Sequence, residues 1–185
     1  MGNWGDQQAT VPFQNRDEQG KQDQPLKKLS VLMPVYNERW TLREIIARVL
    51  RSPISLELEL VIVDDCSTDG SWETIQELAA EDSRIKAFQH AENQGKGCAI
   101  RTAIGHMTGD AVIIQDADLE YDPAEYPQLL KPMLDGKADA VFGSRFTGHS
   151  RRVLFFWHSL VNHGLTFLSN LLNDLNLTDM ETCYK

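Results

Sequence analysis

Hydrophobic residues in this chain come in short blocks, and the spacing changes from one block to the next. Residues 29–35 form an apolar run closing on Pro34 and Val35, the pattern of a buried strand that runs into a loop. Residues 38–51 instead bring Leu42, Ile45, Ile46, Val49 and Leu50 to one helical face. Residues 57–63 alternate and then become continuously apolar, predicting a strand that ends at Asp64 and Asp65. Ser67-Thr68-Asp69-Gly70 supplies turn and capping chemistry, and 71–80 reads as the next helix. Further on, 84–88 predicts a strand, 94–107 a helix opened by glycines, and 111–115 a strand closing on Asp116. A helix over 123–134 and a fifth strand over 138–143 complete the series. Strand–helix alternation at this spacing implies right-handed crossovers and a mostly parallel sheet.

Three of these strands end on polar motifs. Pro34-Val35-Tyr36-Asn37-Glu38 follows the first, Asp64 to Gly70 the second, and Asp116-Ala117-Asp118-Leu119-Glu120 the fourth. Ligands of open α/β sheets lie in the crevice outside the carboxyl ends of the strands, so these motifs are predicted to converge on one edge.

Each motif has a chemical and a plainer reading. Asp116 and Asp118, at a fraying strand end, can reach one ion directly or through water, and hard oxygen ligands suit Mg2+ or Mn2+. A solvated acidic loop would carry the same residues. Asp65 can accept hydrogen bonds from a base or ribose, while Ser67 and Asp69 also fit helix capping. Glu38 is favoured in any first helical turn by the helix dipole. Asn93-Gln94-Gly95-Lys96-Gly97 is a glycine-rich helix opening able to approach an anion closely. It lacks the GxxxxGK[ST] spacing of a P-loop, which disfavours a kinase or ATPase of that type. Arg145, directly after the fifth predicted strand, and then Arg151 and Arg152, place guanidinium groups that match phosphate oxygens.

Composition narrows the classes. With 185 residues the chain holds one α/β domain, and its formal net charge of -9 argues against a protein that coats nucleic acid. A nucleotide remains compatible, because one metal ion offsets a diphosphate locally. The 3 cysteines, Cys66, Cys98 and Cys183, show neither CxxC nor Cys/His ligand spacing. They read as small buried hydrophobes in a reducing compartment rather than as a disulfide framework or zinc site. Residues 1–26 are rich in Gln, Asn, Asp and Gly, with no signal-peptide pattern, and are predicted to be a disordered tail before a domain over 27–185.

Taken in order, Val31 to Glu38, Val61 to Gly70, Asn93 to Gly97, Asp116 to Tyr121 and Gly143 to Arg145 resemble family 2 glycosyltransferases of the GT-A fold. The nearest subgroup in pattern is the dolichol- or undecaprenyl-phosphate sugar synthases, and the resemblance covers 28–185. It implies a Rossmann-like α/β domain with a mostly parallel central sheet flanked by helices, followed by an amphipathic C-terminal helix. Pro34, Tyr36, Glu38 and Asp65 would line the nucleoside pocket, with Lys96 and Ala117 also at the donor. Asp116 and Asp118 would hold Mg2+ or Mn2+ against the diphosphate of a donor such as GDP-mannose or UDP-glucose. Arg145, with Arg151 or Arg152, would receive the phosphate of a polyprenyl acceptor. Asp179, in the late Thr178-Asp179-Met180-Glu181 segment, would orient the acceptor or act near the metal.

Within 151–173, Trp157, Leu160, Val161, Leu165, Leu168 and Leu172 fall near one helical face. The stretch is too interrupted to span a bilayer, which takes about 20 predominantly apolar residues. An interfacial helix and an ordinary core helix both fit it. The family's catalytic domains generally continue beyond this point, so the resemblance also implies a C-terminally truncated domain, cytoplasmic and at most peripheral at the inner membrane face. Other readings stay open: a glycosyltransferase of polysaccharide or glycan assembly, an inactive nucleotide-sugar binder, or a nucleotidyltransferase. An Asp-x-Asp phosphatase fits worst, because Glu120 stands where such enzymes carry Thr or Val.

Overall fold

Parallel strands β1 (Lys28–Val35), β2 (Glu57–Asp64), β3 (Ile85–Gln89) and β4 (Ala111–Ile114) form one sheet in the order β3-β2-β1-β4. The helices are α1 (Arg39–Leu50), α2 (Ser71–Glu81), α3 (Lys96–His106), α4 (Tyr126–Leu134) and α5 (Phe156–Asn173), with a short 3-10 turn, Pro123–Glu125, leading into α4. This computed structural model describes residues 25–143, 156–174, 177–179 and 184. Most of the segment expected to be a tail therefore lies outside the described residues, although Leu26 packs against the core.

Both faces of the two central strands are covered, which is why β1 and β2 read as near-continuous apolar runs. Leu29, Val31, Met33 and Val35 of β1 join Leu58, Leu60 and Ile62 of β2 against Leu42, Ile45, Ile46 and Val49 of α1 and Ile75 of α2. The other face carries Leu32, Val61 and Val63, which pack on Ala99 and Ala103 of α3. Small side chains at 99 and 103 let α3 lie close to the sheet.

Chain progress runs from β1 outward to β3, then returns to place β4 on the other side of β1. The switch point between β1 and β4 opens a crevice at their carboxyl ends, where two of the polar motifs sit.

One expected element is absent. Residues 138–143 are described but form no strand. Val141 and Phe142 instead line a cavity of about 240 Å³ together with Ala111, Ile113, Leu130 and Met133. The Gly143 amide donates to the Tyr184 carbonyl at 2.9 Å. The two described cysteines, Cys66 and Cys98, are free and half-buried rather than fully enclosed.

Candidate functional site

Pro34, Tyr36, Glu38, Asp65, Lys96, Asp116, Ala117 and Asp118 line a single cavity of about 440 Å³ at the carboxyl edge of the sheet, together with Val35, Asn93, Gly95 and Ala99. Every donor-side residue expected from the sequence is therefore in one place.

The loops that build this edge brace one another. The Asn37 amide donates to Ser67 Oγ at 2.9 Å, and Asn37 Oδ1 accepts from the Thr68 amide at 2.9 Å, so the loops after β1 and β2 are clasped in both directions. Asp69 accepts from the Ser71 amide with Oδ1 and from the Arg39 amide with Oδ2, both at 3.0 Å. One carboxylate thus satisfies first-turn donors of both α1 and α2, the capping role that its position allowed.

All four strand-end loops contain a left-handed residue: Asn37 (φ 56), Cys66 (φ 63), Gly95 (φ 86) and Leu119 (φ 62). Such conformations cost a non-glycine residue on the order of 1–3 kcal/mol and persist only where the surroundings impose them. Around Leu119 the bracing is visible. Buried Gln115 donates from Nε2 to the carbonyls of Asp116 (3.0 Å) and Tyr121 (3.3 Å), closing the acidic loop from beneath. Its Oε1 accepts from the Tyr126 and Tyr184 hydroxyls at 2.8 and 3.1 Å.

Asp65 is held by a set that the sequence did not announce. His90 Nδ1 lies 2.6 Å from its Oδ1, and the amides of Gln94 and Gly95 donate to it at 3.0 and 2.7 Å. Burial pushes the Asp65 carboxyl up, but the Gln94 amide, His90 and the Gly95 amide together outweigh that and hold it below the usual aspartate range. The far ring nitrogen of His90 reaches Thr102 Oγ1 of α3 at 2.9 Å. His90 therefore ties the loop after β2 to α3. The available signal was positional: it is the first residue past β3, at the same sheet edge as the other motifs.

Asp116 already faces a cation. Lys96 Nζ lies 2.6 Å from its Oδ1 and 2.8 Å from its Oδ2. Asp118 turns its Oδ1 to the Glu120 amide at 2.9 Å and is exposed to the cavity. Hard carboxylate oxygens and a positive charge drawn to Asp116 fit a divalent cation. Among the described residues no group of three or more His, Cys, Asp or Glu side chains is assembled for a metal. An ion here would take its remaining ligands from water and a bound phosphate.

Arg145, Arg151 and Arg152 lie outside the described residues. Asp179 is buried and accepts from Asn162 Nδ2 at 3.0 Å, and it is not among the residues lining the cavity.

Helix α5 turns its polar stripe inward. Asn162 and Thr166 are buried, and Asn170 makes a two-way clasp with the backbone of Leu177 at 2.8 and 2.9 Å. Leu160, Val161, Leu165, Leu168 and Leu172 are instead exposed, as are Phe167 and Leu171. The apolar stripe is therefore not part of the described core.

The sequence profile described as Glycosyl transferase family 2 matches residues 30–185. The dolichol-phosphate mannosyltransferase of Pyrococcus furiosus is 31% identical over 145 residues, 78% of this chain and 41% of its own length. This chain thus spans about two fifths of that curated relative. Among solved structures, S. aureus TarS 1-349 in complex with UDP-GlcNAc is 27% identical with a TM-score of 0.51, over 59% of this chain and 31% of that one. A mannosyltransferase from Pyrobaculum calidifontis in complex with GDP-Man and Mn2+ is 30% identical over 51% of this chain and 28% of its own. Its TM-score of 0.46 is too low to support a structural argument. The parallel sheet flanked by helices, the C-terminal helix and the likeness to TarS agree with the GT-A arrangement expected from the sequence.

Proposed function

The chain belongs to glycosyl transferase family 2, and on that premise we propose that it is the donor-binding catalytic part of an inverting, metal-dependent transferase. It passes a sugar, mannose or glucose, from a nucleoside diphosphate to a polyprenyl phosphate. The observation that carries this reading is the meeting of Pro34, Tyr36, Glu38, Asp65, Lys96, Asp116 and Asp118 in one cavity at the switch point of the sheet.

Pro34, Tyr36, Glu38 and Asp65 receive the nucleoside, and Lys96 meets the diphosphate at the opening of α3. Asp116 and Asp118 would hold Mg2+ or Mn2+, which would supply positive charge to offset that of the leaving diphosphate. Arg145, with Arg151 or Arg152, is assigned the acceptor phosphate on sequence grounds, because two anions must meet in one site. A phosphate oxygen attacks the anomeric carbon, the nucleoside diphosphate departs from the opposite face, and the configuration inverts. A phosphate dianion is already a competent nucleophile, so no side chain is required as a strong base.

The outward apolar surface of α5 supports a lipid-borne acceptor, since an interfacial helix buries such a face in the headgroup region. Among the described residues no helix is long and apolar enough to cross a membrane. Attachment to the cytoplasmic face of a membrane by α5 is accordingly the proposed arrangement. The resemblance to the P. furiosus dolichol-phosphate mannosyltransferase supports the same acceptor class. A uridine donor stays beside guanosine, because TarS was solved with UDP-GlcNAc.

Calorimetric titration of GDP and of UDP, with and without Mn2+, tests the donor site. The expected result is Mn2+-dependent binding of one nucleotide that Asp118→Ala abolishes. A folded protein that binds neither nucleotide would overturn the proposal. Transfer to a short polyprenyl phosphate then tests the acceptor, and transfer only to a soluble glycan would favour polysaccharide or glycan assembly.

A further inference from the structure

The cavity contains an imbalance of charge that the donor reading leaves unexplained. Its described lining includes four carboxylates, Glu38, Asp65, Asp116 and Asp118, and one basic side chain, Lys96. Asp65 is engaged by His90 and two loop amides. Lys96 lies across both oxygens of Asp116, at 2.6 and 2.8 Å.

That geometry has a consequence for any divalent ion. An ion bound through the Asp116 carboxylate would compete for the same oxygens, and two cations that close repel one another. The lysine is therefore pushed to withdraw when the ion arrives. It can do so without disturbing the fold. The Lys96 side chain is half-exposed on a flexible stem. The backbone beside it is fixed independently, by the Gly95 amide on Asp65. The diphosphate of a bound donor would offer the released ammonium a partner of higher charge than a single carboxylate.

We propose that Lys96 is an internal counter-ion that stands in for the divalent cation at Asp116, and that the nucleoside diphosphate completes the exchange by giving the displaced ammonium a new partner. This inference rests on the donor reading above and adds a regulation of metal entry to it. Metal alone binds weakly because it must break the ion pair. Metal with nucleotide binds tightly because the pair is replaced rather than lost. Metal and nucleotide thereby increase one another's affinity reciprocally.

Electron paramagnetic resonance of free Mn2+, titrated into the folded chain with and without GDP or UDP, tests the exchange. Lys96→Met is expected to bind Mn2+ alone about fivefold more tightly than wild type, the upper range for loss of a partly exposed ion pair. The gain in Mn2+ affinity brought by nucleotide should shrink by a similar factor. Lys96→Arg, which keeps the charge, should bind Mn2+ alone no more tightly than wild type. Equal or weaker Mn2+ binding by folded Lys96→Met, with wild-type binding still lost in Asp118→Ala, would overturn the counter-ion role and leave the donor site standing. No Mn2+ binding by any variant, even with nucleotide, would overturn both.

Discussion

Glu59 and Asp65 stand at opposite ends of β2, and both are almost out of solvent, at 2% and 3% exposure. At the amino edge, Glu59 is enclosed by its own fold. Oε1 accepts from Ser30 Oγ at 2.6 Å and from the Thr108 amide. Oε2 meets Lys86 Nζ at 2.9 Å, Thr108 Oγ1 at 2.8 Å and Lys28 Nζ at 3.1 Å. Burial raises the Glu59 carboxyl, but Lys86, Ser30 and Thr108 overcome that and hold it far below the glutamate range. At the carboxyl edge the acids face a cavity, their loops hold left-handed residues, and Asp116 has a partner that can be exchanged. An acid saturated by neighbouring strands serves the fold, whereas acids on braced, strained loops around an opening remain available to a ligand.

The largest effect is expected at the amino edge. Glu59→Ala should lower stability by about 3 kcal/mol, the low end for breaking a buried pair because both lysines can turn to water. Chemical denaturation measures it, and the folded fraction should still bind nucleotide. The pH dependence follows with a definite sign. Because the folded carboxyl is depressed, its contribution is present above the ordinary glutamate range, about 4.3, and is lost as pH falls below it. The stability gap between wild type and Glu59→Gln should therefore close on acidification. A gap that is constant down to the acid transition would show that Glu59 is not held as described.

Asp118→Ala is the counterpart at the other edge: Mn2+-dependent nucleotide binding disappears while the denaturation midpoint hardly moves. A smaller effect is expected at Gly95, whose φ 86, ψ 158 backbone lies in a region open essentially to glycine alone. Gly95→Ala has open space for its Cβ, so any loss of about 2 kcal/mol in stability or nucleotide affinity would be conformational strain and not a clash. Smallest is His90→Ala. It should weaken nucleotide binding by about tenfold through the loosened Asp65, the cost of one hydrogen bond to a charged group at about 1.5 kcal/mol. Unchanged binding would mean that the two loop amides suffice to hold Asp65.

Much of the site was legible in the sequence because local rules place it. Apolar runs that end on Asp65 and Asp116 predict strand ends, and parallel strands put their ends on one edge whatever their order. His90 carries no local signal beyond its place just past β3: its role depends on β3 lying beside β2, which brings residues far apart in sequence to 2.6 Å. The apolar stripe of α5 was equally visible, but a stripe alone does not say which face turns inward. Asn162 and Asn170 decided that by finding Asp179 and Leu177. The fifth strand failed for a similar reason, since 138–143 has the composition of a strand and no ladder beside β4.

By itself, then, the sequence determined the periodicities, the order of strands and helices along the chain, and the carboxylates delivered at the strand ends. All of these follow from steric and hydrophobic preferences within a few residues of each position. Only the tertiary structure decided which partner satisfies each buried charge: Lys86 and Lys28 for Glu59, His90 for Asp65, Lys96 for Asp116. Pairing of buried polar groups is a long-range matter, because each must find a donor or cation wherever the packed strands bring one within reach.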